Sequence, residues 1–473
     1  MRQHLTLRLP RHPRGSISLL MINTLLQQLD KLIRPDRAEQ LAKEHGWRRR
    51  RGKIPAFEFL FSALGQASAL DLTLNAQASS FTEPVTRQAV DQRYNAAAVP
   101  FFKAAFQESL ATHLAWKADS AMTQLLQQRF RAVRLFDSTH CPCSDALAKL
   151  FPACGGGGGT AGLKVLLSYD YGAGQLHPLE VLPAKCSDQG LAGKACQQVG
   201  EGELGIFDKG FYQAQALRQV KERGGYFLLP WHQGVSVWGI DAAGQRGAPI
   251  EVAAHLKASP QVQVEWGAVE LGQTEESRLG PVRLIAYRLA EEKANRRRAQ
   301  LREKCRTHGR QPTEQARELA GWLILLTNAP RESLPTAAVG YVYRVRWQVE
   351  LIFKQWKSVL RLDVLPSENA FRVQCEVWAR LLTALLAFVW YQHANAACLK
   401  LHQCEISFSK VAKQLQQQGQ SLVRALFGDR AWIQSEFRRL WKRILKLARK
   451  ECQPSRPTTW ENLCTHWLEV LPA

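Results

Sequence analysis

Two acids and one helix face carry the chemistry this sequence offers. Asp137 ends the apolar run Val133-Arg-Leu-Phe-Asp and precedes Ser138-Thr139, while Asp208 ends Leu204-Gly-Ile-Phe-Asp and precedes Lys209-Gly-Phe-Tyr. Carboxylates at the carboxyl ends of strands open into a crevice, and two placed close together repel and favour a divalent cation between them. For either Asp alone, starting a turn is the commoner role. The third group lies downstream in Tyr343, Arg346, Glu350 and Lys357, with Lys354 among them. On one continuous helix from Ala338 to Leu360 these side chains fall within about 80° of one another, and Val345, Val349, Ile352, Trp356 and Val359 take the opposite face. A solvated, ion-paired face is the alternative reading, because Arg346 and Glu350 form an ordinary i,i+4 pair.

The elements that must position these residues are legible as changes of period. Short apolar runs bounded by Gly, Asp or Pro (Val133 to Asp137, Leu163 to Asp170, Gln175 to Leu182, Leu204 to Asp208) predict strands of one sheet. Extended runs at Val235 to Ile240, Val262 to Leu271 and Val282 to Leu289 precede a charged helical stretch, Glu291 to Glu318, and the whole block reads as an insertion. Trp322 to Thr327 then resumes the strand pattern. The region before, from about Ser16 to Gln124, is helical by spacing. Within it a helix-turn-helix-like stretch runs through Leu72 to Ser80 and Val85 to Tyr94, and Thr86, Arg87, Gln88 and Arg93 are the side chains it would aim at DNA. A solvated helical hairpin fits the same residues. From Glu368 onward the chain is again helical, and basic between Arg430 and Lys450. Gly155 to Gly159 reads as a strand connection, since no Gly-Lys-Ser or Gly-Lys-Thr follows it.

The charge balance narrows the partner. Of 473 residues, 63 are Lys or Arg and 41 Asp or Glu, a net +22 that points to a polyanion, because each cation set against a phosphate releases condensed counterions. Hydrophobic residues at 46% exclude a mainly disordered chain. The eleven Cys are scattered, with no disulfide framework and no zinc-site spacing around Cys141-Pro-Cys143, and they predict a reducing cytoplasm. The apolar run Ile17 to Leu26 lacks a signal-peptide cleavage site, and Leu381 to Tyr391 is too short to span a bilayer, so no membrane anchor is expected.

Taken together, Asp137, Asp208 and Glu350 resemble the acidic triad of the DDE transposases, and Tyr343-x2-Arg346-x3-Glu350-x6-Lys357 matches the YREK signature of the insertion-sequence-four family of bacterial transposases. Phe136-Asp-Ser-Thr139, Asp208-Lys-Gly-Phe-Tyr212 and the stretch Gly321 to Asn328 extend the resemblance, which runs from about residue 50 to 395. Lys209 stands where that pattern has an Arg. The resemblance implies an α/β fold: an RNase H-like catalytic core over 126–395, interrupted by a mostly β insertion at about 215–320. A helical DNA-end-binding region (1–125) would precede it and a basic helical C-terminal region (396–473) would follow.

For the chemistry, the resemblance implies that Asp137, Asp208 and Glu350 hold Mg²⁺, with Mn²⁺ able to substitute. Arg346, Lys357, Lys354 and Lys209 would contact DNA phosphates, with Tyr343 hydrogen-bonding one of them. Trp322 matches the family tryptophan that stacks on a flipped base during hairpin formation, and Arg296 to Arg310 would clamp DNA nearby. Partners are then the terminal inverted repeats of an insertion element and a target DNA, bound by a homodimer in a bacterial cytoplasm, at the nucleoid. A metal-dependent nuclease without joining activity is the enzymatic alternative. A DNA-binding regulator is the other, and it leaves the triad unexplained.

Overall fold

The structure, a computed structural model, describes residues 34–48, 52–68, 73–114, 128–155, 159–171, 175–402, 406–426 and 430–448. The apolar run Ile17 to Leu26, the middle of the glycine run (156–158), Arg49 to Arg51 and the tail beyond 448 lie outside the described residues. Two compact units are present. One gathers the described residues within Met1–Ala118, Pro142–Leu150 and Lys354–Cys452, the other those within Asp119–Cys141 and Phe151–Phe353.

The second unit is built on one ten-stranded sheet. Its strands are β1 (Val133–Pro142), β2 (Gly162–Asp170), β3 (Gln175–Pro183), β4 (Leu204–Ile206), β5 (Tyr226–Pro230), β6 (Val237–Ile240), β7 (Arg246–Pro249), β8 (Gln263–Leu271), β9 (Leu279–Arg288) and β10 (Trp322–Thr327), in the order β3-β2-β1-β4-β5-β10-β9-β8-β6-β7. The centre, β1-β4-β5, is parallel, and β10 joins β5 antiparallel. Parallel strands need cover on both faces and therefore read as unbroken apolar runs, as Leu204-Gly-Ile and Tyr226-Phe-Leu-Leu do. The helices Asp188–Gln197 and Ala214–Glu222 supply cover, setting Leu191, Ala195, Leu217 and Val220 in one cluster with Phe136, Phe207, Phe227 and Leu229. Contact here is too close for a side chain on Gly205, whose Cβ would fall 2.6 Å from the Phe207 ring and 2.8 Å from Val199.

Three expectations shift. β1 runs on five residues beyond Asp137, to Pro142, so Asp137 sits inside a strand rather than closing one. β5, which falls inside the expected insertion, pairs parallel with β4 and belongs to the central sheet. The strands that follow extend that sheet edge to edge through β10 instead of forming a separate β unit, and the charged stretch divides into helices Glu291–Thr307 and Glu314–Leu319.

The other unit is helical. Trp47, Phe59 and Phe101 stack at 5.0 and 5.5 Å within it. The helix Ala370–His402 packs on Ala56–Ser68, Ala98–Leu114 and Phe408–Leu426, which joins N-terminal and C-terminal helices in one body where the sequence suggested two flanking regions. This helix is longer than its apolar run Leu381 to Tyr391 suggested. Over Ala370–Cys398 it has the length and apolarity to cross a membrane, and 78% of its most apolar window is buried inside the protein, as in a bundle core.

Candidate active site

Register brings the first two acids together. β1 and β4 pair Val133 with Leu204, Arg134 with Gly205 and Leu135 with Ile206, and the same register carried forward sets Phe136 beside Phe207 and Asp137 beside Asp208. The rings of Phe136 and Phe207 confirm this continuation, stacking at 4.7 Å with only 8° between their planes. Neighbouring strands lie about 4.8 Å apart, so the carboxyl groups of the next residues emerge side by side.

The third acid arrives on a broken helix. Thr336–Arg344 and Trp347–Leu360 are separate helices, not the single one expected, because Val345 and Arg346 donate to carbonyls three residues back (Val342 and Tyr343, 3.0 and 3.1 Å) and tighten the chain at the join. The first helix is held to the sheet by a buried network. Arg283 donates to Glu265 at 2.8 Å and to the carbonyls of Ala329 and Leu334 at 2.9 Å each, and the Gly340 N–H donates to the Tyr287 hydroxyl at 3.2 Å. Glu265 also accepts from the Thr336 hydroxyl; burial pushes its carboxyl up, but the bonds from Arg283, Thr336 and Arg331 outweigh it and hold the carboxyl below the usual range.

All three acids meet on one guanidinium. Arg346 stands 3.7 Å from Asp137 and 3.8 Å from Asp208, and donates to Glu350. Its charge lies 5.8 Å from the Tyr343 ring centre. Burial pushes the Asp137 carboxyl up to about 6; the Ser138 N–H and Arg346 oppose the shift, and Asp208 and Glu350 add to it. Tyr343 is likewise pushed up to about 12, chiefly by burial. Burial works against the Arg346 charge, but Tyr343 and the three carboxylates outweigh it and raise its pKa. Among the described residues no group of three or more His, Cys, Asp or Glu side chains stands close enough to hold a metal ion as placed, since these acids face Arg346 instead. The chemistry of the donor set nevertheless fits a hard divalent cation: three carboxylates gathered on a positive charge.

The remaining candidates fall in different places. Lys354 is exposed and Lys357 partly so, one and two turns beyond Glu350 on its helix. Lys209 and Trp322 line a cavity of about 200 Å³ together with Arg297, Trp231 and Ile324. Burial lowers the Lys209 pKa, and Lys304 and Arg297 lower it further, so this cavity concentrates positive charge. Trp322 itself is only 2% exposed, with the Arg288 guanidinium 4.4 Å over its ring and its Nε1 donating to Glu318. Its ring is thus packed in the core cluster rather than open for a base. In the helical unit, the helix-turn-helix-like stretch forms two five-residue helices, Leu74–Ala78 and Arg87–Asp91. Thr86 caps the second by accepting from the Ala89 N–H, Arg87 is exposed, and Arg93 lies 5.3 Å over the Trp47 ring. The sequence reading passed over Trp347, which is 56% exposed beside Arg346; the signal was an aromatic residue inside the motif itself.

A family model described as Transposase DDE domain matches residues 128–386, more than half of the chain. The chain belongs to the DDE transposases. It is therefore an enzyme that acts on DNA, and its relatives are transposases of insertion sequences. This transposase is 26% identical over 454 residues to the transposase for insertion sequence element IS231C, and 25% over 457 residues to that for IS231B, both of Bacillus thuringiensis subsp. berliner. In each case 92% of this chain and 94% of the relative are covered. A solved piggyBac transposase synaptic complex with hairpin DNA is similar over 89% of this chain and 85% of that one, at 11% identity and a TM-score of 0.43. Membership of this family implies divalent metal use.

Proposed function

We propose that this transposase binds the terminal inverted repeats of an insertion element, cuts them with a divalent metal and joins them to target DNA, through a hairpin at the element end. The observation that carries the reading is the convergence of Asp137, Asp208 and Glu350 on Arg346. These three acids would hold Mg²⁺, or Mn²⁺ in its place, whose chemistry is to lower the pKa of an attacking water or 3′-hydroxyl and to stabilise the leaving oxygen.

The chain's own residues do the rest. Arg346 balances the carboxylates until a cation and a phosphate enter, and then turns to the phosphate. Lys354, Lys357 and Lys209 neutralise neighbouring phosphates, Tyr343 donates its hydroxyl to one, and burial keeps that hydroxyl protonated. Trp322, which lines the cationic cavity, takes a flipped base only once Arg288 and its core packing give way, and Trp347, the residue after Arg346, offers an exposed ring face. End recognition falls to the helical unit, with Arg87 opening its second short helix and Arg93 in the turn just after it. The charge of +22 supplies salt-sensitive affinity, and two copies of the chain bridge two ends in the bacterial cytoplasm, at the nucleoid.

The test compares the natural chain with Asp208→Ala on a duplex carrying the DNA that flanks the gene. The variant is expected to bind as tightly and to lose strand cleavage entirely. Retained cleavage would remove Asp208 from the chemistry; if neither protein cuts while both bind, a DNA-binding regulator becomes the reading to adopt.

A further inference from the structure

Asp188 stands behind both of the first two acids. It opens the helix Asp188–Gln197, whose cap is already supplied by Ser187, accepting from the Gly190 N–H at 3.1 Å. The Asp188 carboxylate is engaged elsewhere. Its Oδ1 accepts from the Ser138 hydroxyl at 2.6 Å and from Lys164 Nζ at 3.1 Å. Ser138 directly follows Asp137, and its N–H donates to Asp137 Oδ1 at 2.9 Å. On its other side, a Cβ on Gly210 would fall 3.2 Å from the Asp188 Cβ and 3.3 Å from its Oδ2, so the turn Lys209–Phe211 that follows Asp208 rests against the same side chain.

We infer that Asp188 is a positioning residue that fixes the spacing of Asp137 and Asp208 from behind the sheet. Alternation along β1 puts Phe136 and Ser138 on one face and Asp137 on the other, so a partner of Ser138 acts on the carboxylate through the backbone without entering the site. The short, charge-assisted bond from Ser138 holds the strand where Asp137 leaves it, and contact with Gly210 holds the turn where Asp208 leaves it. Lys164 keeps Asp188 paired, so its charge does not add to the repulsion of the three acids. Outer partners of this kind typically set metal affinity by a factor of ten to a hundred.

The inference rests on the reading that these acids hold the metal, and its experiment separates the two. In the full chain, Mg²⁺ binding is measured by calorimetry, and the half-saturating Mg²⁺ for cleavage is measured beside melting temperature and duplex binding. Asp188→Ala is expected to weaken Mg²⁺ binding roughly 10- to 100-fold with duplex binding unchanged. Asp188→Asn, which still accepts from Ser138, falls between it and the natural chain. Ser138→Ala shifts affinity in the same direction, and the double variant is no worse than Asp188→Ala alone, as expected for two residues acting through one bond. If Asp188→Ala does not fold, Asp188→Asn and Ser138→Ala carry the test. Unchanged Mg²⁺ binding in these variants, with cleavage falling only as far as melting temperature does, overturns the positioning role. Loss of cleavage in Glu350→Gln beside that result leaves the metal reading standing, whereas full activity in Glu350→Gln would sink that reading itself.

Discussion

Phe136 and Phe207 stack face to face at 4.7 Å, one residue before each of the two strand-borne acids. Their contact fixes how Asp137 and Asp208 leave the sheet, because neither backbone can rotate without separating the rings. Phe136→Ala is expected to cost roughly 3–5 kcal/mol in urea unfolding, the usual range for a fully buried Phe, and to abolish cleavage even in the folded fraction. A cost under about 1 kcal/mol, against that same range, would show that the pair does not hold the strands.

Arg346 is the shared counter-ion of the acids before any metal arrives. Arg346→Gln leaves three carboxylates facing one another and is expected to destabilise the metal-free protein by about 1–3 kcal/mol, below the usual cost of breaking a buried pair because Asp208 is 42% exposed. Mg²⁺ then raises the melting temperature of the variant more than that of the natural chain, by replacing the lost charge. Equal shifts on adding Mg²⁺ would contradict a counter-ion role.

Stability should carry the signature of Asp137. Its folded pKa of about 6 lies above the ordinary 3.8, so between those values the native state binds more protons than the unfolded chain, and stability falls as pH rises through that window. The penalty is absent below the lower value and complete above the upper one. Asp137→Asn removes it, so in EDTA the variant should gain on the natural chain between pH 4 and 7, by about 2 kcal/mol. A difference that stays flat with pH would place the Asp137 carboxyl in an ordinary environment.

Trp322 separates folding from hairpin formation. Because the ring is buried, Trp322→Ala lowers stability, but its effect on catalysis should be uneven. Stacking of one base on an aromatic ring contributes about 1–3 kcal/mol, so hairpin closure is expected to slow roughly 5- to 150-fold while first-strand nicking changes far less. Equal losses at both steps would assign Trp322 to the core alone.

Much of this was readable in the chain. β2, β3, β8 and β9 fall within a few residues of their apolar runs and β10 matches to the residue, since Gly, Pro and Asp punctuate strands whose buried faces demand Val, Ile and Leu. That Asp137, Asp208, Glu350 and Arg346 could meet was suggested too, the first two as acids ending apolar runs and the last two as residue types at fixed spacing. β7 was not, because Arg-Gly-Ala-Pro carries no apolar pattern. The break at Val345 was not, because neither Gly nor Pro marks it and only a shift of backbone bonds creates it. Asp188 left no trace, since its importance comes from what folding brings to it. Trp322 is matched to a flipped base by resemblance, with core packing in a strand as the alternative, and periodicity alone does not say that another side chain, here Arg288, covers it.

The most direct measurement is metal-dependent cleavage of a labelled duplex carrying an end of the element, comparing the natural chain with Glu350→Gln. The natural chain should cut at a defined position only with Mg²⁺ or Mn²⁺, and Glu350→Gln should bind the duplex equally and cut at least about a thousandfold more slowly, a barrier increase of roughly 4 kcal/mol. Undiminished, metal-dependent cutting by Glu350→Gln would contradict the assignment of the third acid and with it the site built around Arg346.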